Sequence, residues 1–277
     1  MLTREVMIER LIATAKSDPR IVGLVDYGSS NAGHDDTWSD VDVAVFVRDT
    51  DLDEFVRQWI SWAGRLGPLL LSYVGGVGHP WTVYDVAPIP LRVDFVFLSE
   101  SRLADLTEWT TAPSSIESFV WYDATGGRLT EYAQKLVGQS LAPADVYGMF
   151  DQVCGDFWYY CLRTLGKIQR GQQWVARYEY NQIIQGNLLA LLKLEAGATD
   201  RWRNTSSALE IERVLSTERL GQLEACIPGR GMTNLKNAFQ HAARLGYDVC
   251  QHLAQTNGWE WPQQLGERVI KLLLDPI

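Results

Sequence analysis

The segment Asp40-Val41-Asp42-Val43-Ala44-Val45-Phe46-Val47 admits little besides a β-strand, because valine recurs at every second position and β-branched side chains favour extended backbone. Residues two apart on a strand project from one face, so Val41, Val43 and Val45 turn toward a core while Asp40 and Asp42 converge on the other side. Two neighbouring carboxylates repel each other unless positive charge stands between them, and a hard divalent cation such as magnesium suits oxygen donors of this kind. A second apolar run, Ile21–Tyr27, precedes this one and closes on Gly28-Ser29. Small residues there let backbone amides come close to a phosphate. The two runs together read as a site for a metal-bound nucleoside triphosphate.

A third carboxylate strengthens that reading. Trp81–Val86 and Leu91–Leu98 pattern as paired strands joined by Ala87-Pro88-Ile89-Pro90, and the later one carries Asp94 among Val93, Phe95, Val96 and Phe97. An isolated carboxylate in apolar surroundings is costly. Alternation places Asp94 on one face with Arg92, so a solvent-facing pair is the alternative. A Gly-Ser turn, an Asp-x-Asp pair and an Asp on a later strand are nevertheless the layout of a three-carboxylate, two-metal centre.

Helical spacing marks Thr3–Ser17, with Thr3 as N-cap, and a helix from Asp51 to about Arg65 capped by Asp49-Thr50-Asp51. Strand signals end near Tyr122. Helical patterns then cover Ala142–Arg170, Arg177–Ala196, Ser206–Cys226, Thr233–Thr256 and Pro262–Leu274. Gly126-Gly127 and the approach to Pro143 put the boundary near residue 140. The expected fold is α+β: a mixed sheet with flanking helices over residues 1–140, then an all-helical domain over 141–277.

The composition of this 277-residue chain, 46% hydrophobic and 21% charged, is that of a globular protein. A formal net charge of -9 argues against non-specific nucleic-acid binding and suits a cationic small substrate. Cys154, Cys161, Cys226 and Cys250 lack metal-site spacing and read as free buried thiols, and His79, His241 and His252 show no mutual spacing for a metal. Met1–Arg20 is charged throughout, unlike a signal peptide, and no apolar stretch is long enough to span a membrane, Gly67–Val77 being short and glycine-broken. A reduced, cytoplasmic protein is expected.

Gly28-Ser29, Asp40-x-Asp42 and Asp94 together resemble the nucleotidyltransferase superfamily that shares the DNA polymerase β palm, over about residues 20–98. Within it the chain is similar to antibiotic nucleotidyltransferases. The helix-strand-Tyr-Gly-Ser start, Tyr122-Asp123-x-Thr125-Gly126 and Trp202-Arg203-Asn204-Thr205-Ser206 resemble the lincosamide enzymes, while Phe157-Trp158, Lys167 and Arg170 resemble the helical domain of streptomycin 6-adenylyltransferases. Some lincosamide enzymes carry Glu where this chain has Asp42 and Asp94, which keeps the charge at shorter reach.

The resemblance implies a catalytic domain over 1–140 and a substrate-binding domain over 141–277. It implies magnesium-dependent nucleotidyl transfer, from ATP by preference, to a hydroxyl of a small antibiotic. A lincosamide acceptor stands slightly ahead of an aminoglycoside, and a nucleotide-binding or toxin-antitoxin-type module of the same fold is the rival of another class. Asp40, Asp42 and Asp94 would be the metal-binding and catalytic residues, with Asp94 as second-metal ligand or general base, and Gly28 and Ser29 would hold phosphate. Arg163, Lys167 and Arg170 make one side of a helix basic, from which Lys167 is assigned to phosphate; cations favoured by a helix C-terminus are the alternative. Glu179, near Tyr178 and Asn181, is the candidate substrate ligand, and the aromatics around it read mainly as core. His34 reads as a solvated loop residue. A homodimer stays open; no nucleic acid or membrane partner is expected.

Overall fold

In the computed structural model, which describes residues 2–28, 38–141, 143, 145–200 and 206–274, helix α1 (Arg4–Ser17) starts at Thr3, whose Oγ1 accepts the Val6 N–H at 3.3 Å. The chain divides into two compact units, Met1–Ser140 and Leu141–Ile277. In the first unit α1 is followed by β1 (Ile21–Asp26), β2 (Val41–Val47), α2 (Leu52–Ala63), β3 (Leu69–Val74), β4 (Pro80–Tyr84) and β5 (Leu91–Ser99). A 3₁₀ segment (Glu100–Glu108), α3 (Ile116–Phe119), β6 (Val120–Asp123) and α4 (Arg128–Gln134) complete it.

The six strands form one sheet in the order β3-β4-β5-β2-β1-β6. Among these pairs only β2 and β5 run parallel, the intervening α2, β3 and β4 supplying the crossover that a parallel pair requires. One face, with Leu24, Val43, Val45 and Phe95, packs with residues of α1 and α2 such as Leu11, Phe55 and Trp62. The other, with Val25, Ala44 and Phe46, packs with Leu103, Phe119 and Leu129 from the 3₁₀ segment, α3 and α4. A mixed sheet with helices on both faces is the α+β architecture expected.

The start of α4 shows what one sequence motif does. Asp123 Oδ1 accepts the Thr125 N–H at 2.8 Å and its hydroxyl at 2.6 Å, and Oδ2 accepts the Thr130 N–H at 3.0 Å and its hydroxyl at 2.7 Å. Thr125 Oγ1 in turn accepts the Leu129 N–H at 2.9 Å. These bonds satisfy amides at the helix start that have no intrahelical partner. Gly126 and Gly127 make the turn with φ of 75° and 93°, a region glycine enters without steric cost.

The second unit contains α5 (Val146–Gln169), α6 (Gln173–Gln182), a π-helical segment (Ile183–Leu188), α7 (Leu189–Glu195), α8 (Ile211–Val214), α9 (Thr217–Glu224), α10 (Gly231–Asn257) and α11 (Gln263–Leu274). Its core gathers Phe150, Phe157, Trp158, Tyr180, Phe239 and Leu192. Gly246 lets α10 close on α5, since a Cβ there would stand 2.3 Å from the Phe157 ring. All four cysteines are free and buried, with the Cys154 and Cys250 sulfurs 3.3 Å apart. No helix among the described residues is long and apolar enough to cross a membrane.

Several local expectations change. Asp51 occupies the N-cap of α2 but makes no capping bond: its backbone is helical rather than extended and its carboxylate accepts from Thr50, while Asp49 is engaged with the Ser101 N–H. The strand β3 was not anticipated. It lies at the sheet edge with Leu70, Leu71, Tyr73 and Val74 exposed, so it shows no inside-outside alternation. The helix expected over Ser206–Cys226 is broken after Val214. Leu215 is extended, and Ser216 Oγ accepts the Arg219 N–H at 3.2 Å to start α9 afresh.

Asp18 ties the end of α1 to the approach to β1 and to the chain just after α2. Its carboxylate accepts from Arg20 at 2.9 and 2.7 Å and from Arg65 Nη2 at 3.0 Å, while the Arg20 guanidinium lies 4.9 Å from the centre of the Phe55 ring. The hydrogen bonds from Arg20, aided by Arg65, hold this buried carboxyl down to about 2. A carboxylate with a folded pKa below its unfolded one stabilises the protein above about pH 4 and loses that contribution as pH falls toward about 2. Asp18→Asn is therefore expected to lower stability at neutral pH by about 2 kcal/mol. Urea unfolding should show the gap between the two proteins shrinking in acid.

Candidate active site

Pairing of β2 with β5 determines the site. Val41 stands opposite Val93, Asp42 opposite Asp94 and Val43 opposite Phe95, so the two carboxylates are lateral neighbours on one face of the sheet. Asp40 ends the approach to β2. Its Oδ2 accepts Arg92 Nη2 at 2.6 Å, and its carbonyl accepts Arg4 Nη2 at 3.3 Å. From β1, Tyr27 donates its N–H to the Asp42 carbonyl at 3.0 Å. Gly28 follows immediately, and a Cβ there would lie 2.7 Å from Asp42 Oδ2 and 3.3 Å from Asp26 Oδ1. Gly28 is thus required for close approach to the acids, and its N–H donates to Asp26 Oδ1 at 2.9 Å.

The cluster is short of positive charge. Burial first, then the negative charges of Asp40, Asp94 and Asp26, push Asp42 up to about 7, against a smaller opposing pull from Arg92. Asp94 is raised by burial and by Asp40, with Arg92 and His79 opposing. Tyr27 is raised as well, by burial and the same acids. These oxygens are the donors a hard cation takes, and a cation among them would relieve both the burial and the repulsion that raise Asp42. As the side chains stand, no group of three or more His, Cys, Asp or Glu among the described residues is gathered to hold a metal ion. The third carboxylate, Asp40, is engaged by Arg92.

Asp40, Asp42 and Asp94 are therefore brought to one region of one sheet, with Gly28 against them. Ser29, His34 and the stretch Trp202–Thr205 lie outside the described residues. One neighbour escaped the sequence reading, and another was placed on the right face without its partner. Asp26 is buried at the end of β1 despite its charge, and the sign of it was a carboxylate closing an otherwise apolar run. Arg92 is the ion-pair partner of Asp40, although alternation alone assigned it to Asp94.

Lys167 and Glu179 belong to the second unit. Glu179, on α6, is buried and accepts Arg163 Nε at 2.9 Å through Oε1, while Oε2 has no hydrogen-bond partner among the described residues. Of the basic helix side proposed from spacing, Arg163 is thus committed to Glu179, and Arg170 lies back against Gly166, 3.5 Å from where its Cβ would be. Lys167 is half-buried, and no carboxylate pairs with it among the described residues. The aromatics divide: Phe157, Trp158 and Tyr180 are core, while Tyr159, Trp174 and Tyr178 are exposed.

Residues 91–275 match a protein family described as streptomycin adenylyltransferase. The match begins at the first residue of β5, so it takes in Asp94, Lys167 and Glu179 and leaves Gly28, Asp40 and Asp42 before it. No curated protein matches. Among solved structures, the chain is similar to an aminoglycoside 6-adenyltransferase from Bacillus subtilis at 14% identity, covering 99% of this chain and 98% of that one with a TM-score of 0.43. It is also similar to a nucleotidyltransferase-like protein from Exiguobacterium sibiricum 255-15 at 16% identity, covering 98% and 88% with a TM-score of 0.31.

Folded Asp42 keeps its proton to about pH 7, whereas an unfolded aspartate releases it near pH 4. The folded state binds the extra proton between those values, so the stability contributed at this site falls as pH rises through them. In the presence of a chelator, Asp42→Asn is expected to melt higher than the parent above neutral pH, by about 3 °C or more, and no higher near pH 4. Calorimetry at the two ends of that range measures the difference.

Proposed function

The chain belongs to the streptomycin adenylyltransferase family and is a nucleotidyltransferase; from that premise we propose that it moves an adenylyl group from ATP to a hydroxyl of an aminoglycoside antibiotic. The observation that carries the reading is the lateral Asp42–Asp94 pair, with Asp40 beside it, in a cluster whose acids outnumber the one cation, Arg92, that pairs with them. The family match favours the aminoglycoside over the lincosamide that the sequence placed slightly ahead. A polycationic acceptor also suits a chain of net charge -9.

Under this proposal the first unit is catalytic and the second binds the acceptor. Asp40, Asp42 and Asp94 would hold magnesium, which when bound supplies neutralisation of the charge building on the triphosphate oxygens. Gly28, whose missing Cβ makes room for Asp42 and whose N–H donates to Asp26, would shape the turn that brings phosphate beside the acids, and Ser29 would add its hydroxyl. The acceptor oxygen attacks the α-phosphorus, the new O–P bond forms as the bond to the β-phosphate oxygen breaks, and pyrophosphate leaves. Asp94, lateral to Asp42, would take the proton of the attacking hydroxyl or hold a second cation in the same position. Lys167 meets phosphate as a point charge. Glu179 is proposed to meet an acceptor amine once the Arg163 contact opens, since it is buried and paired with Arg163 here, while Trp174 and Tyr178, four residues apart on α6, form an exposed aromatic face on another side of that helix.

Pyrophosphate release, screened with ATP and magnesium against streptomycin, kanamycin, lincomycin and clindamycin, tests the proposal. Turnover with streptomycin is expected, abolished by chelator and reduced at least about 100-fold in Asp42→Asn and in Asp94→Asn. Turnover with lincomycin alone would return the acceptor to the lincosamides. Nucleotide binding with no turnover on any of the four would favour the binding-module reading and sink this one.

A further inference from the structure

The Asp40–Arg92 ion pair places a protein cation where the proposed site needs a carboxylate. Arg92 Nη2 is 2.6 Å from Asp40 Oδ2, joining β5 to the approach to β2 across 52 positions of sequence. Arg92 also stands two residues before Asp94 on the same strand and face. Its side chain is 63% exposed and that of Asp40 is 26% exposed, so the pair is open to exchange. A cavity of about 380 Å³, lined by Arg4, Trp38, Asp40, Pro88 and Arg92 but not by Asp42 or Asp94, gives the Arg92 arm room to leave the carboxylate. An arm of this length can leave Asp40 and still reach whatever enters beside Asp94. A planar guanidinium takes phosphate oxygens in the same two-pronged manner in which it takes a carboxylate.

The geometry points to Arg92 as a positioning residue: it occupies Asp40 until a triphosphate arrives, then exchanges the carboxylate for a phosphate oxygen and frees Asp40 for the cation. The exchange trades one charge-assisted contact for another, so it runs easily in both directions. Its consequence is that divalent cation and nucleotide bind together, each poorly without the other. The inference rests on the three-carboxylate reading proposed above, and adds to it the residue that couples the two ligands.

Two variants and two probes test it, using the full-length protein. Mn²⁺ alone is followed by loss of its free-ion electron paramagnetic resonance signal, and magnesium α,β-methylene-ATP by calorimetry. Because an exposed ion pair holds its carboxylate only weakly, Arg92→Gln is expected to bind Mn²⁺ alone roughly two- to five-fold more tightly than the parent. The same variant should bind the nucleotide complex at least about tenfold more weakly, having lost a charged phosphate contact. Arg92→Lys should restore the parent's weak Mn²⁺ binding and part of the nucleotide affinity. An Arg92→Gln protein whose Mn²⁺ affinity is unchanged or lower overturns the inference, as does one whose nucleotide affinity is unchanged. Asp42→Asn separates the two levels: if it weakens Mn²⁺ binding while Arg92→Gln changes nothing, only the role of Arg92 fails, and if it leaves Mn²⁺ binding unaltered, the metal-site reading fails with it.

Discussion

Everything at the candidate site depends on the parallel contact between β2 and β5. Val41, Val43, Val45 and Val47 on one strand and Val93 and Phe95 on the other are buried, and burying each such side chain contributes about 1.5–3 kcal/mol as an upper estimate. A slip of one residue would turn that whole set to the opposite face. The apolar contacts therefore fix the register, and the register forces Asp42 beside Asp94 whether or not the carboxylates favour it. The protein holds its acids together by packing elsewhere, and burial, then the neighbouring acids, raise the proton affinity of Asp42.

How legible this was follows from how far each interaction reaches along the chain. Thr3 capping α1, and the strands Val41–Val47 and Leu91–Leu98, are signals contained within a few residues, and the structure bears them out, although β2 is buried on both faces. The strand β3 carried no such signal, because both its faces are partly exposed and its apolar residues run consecutively. The partner of Arg92 was equally hidden: alternation says which side of a strand a charge occupies, while the neighbour that meets it is decided by a pairing 52 positions away. Asp26 was passed over for a related reason. A charge at the end of an apolar run reads as the point where the chain leaves the core, and here that point is itself buried.

In the second unit the same division separates aromatics that sequence could not sort. Tyr180 is sealed in the core, where its hydroxyl donates to the Ala238 carbonyl at 3.0 Å, while Tyr178, two positions earlier, is exposed. Helical rotation accounts for the difference once the neighbours of α6 are known, and those neighbours come from α10, distant in sequence. Glu179, between them, is buried with its charge matched on one oxygen by Arg163. Its other oxygen has no hydrogen-bond partner among the described residues.

The Asp123 network bears on how signatures of this kind should be weighed. The Tyr-Asp-x-Thr-Gly stretch helped the sequence to resemble antibiotic-modifying enzymes, yet in three dimensions Asp123 is spent on four hydrogen bonds that begin α4. A descendant that had lost Asp42 and all turnover would still need those bonds to build the helix packed behind its sheet. Such a motif is accounted for by the helix it begins, so it says nothing by itself about what the acids on β2 and β5 do.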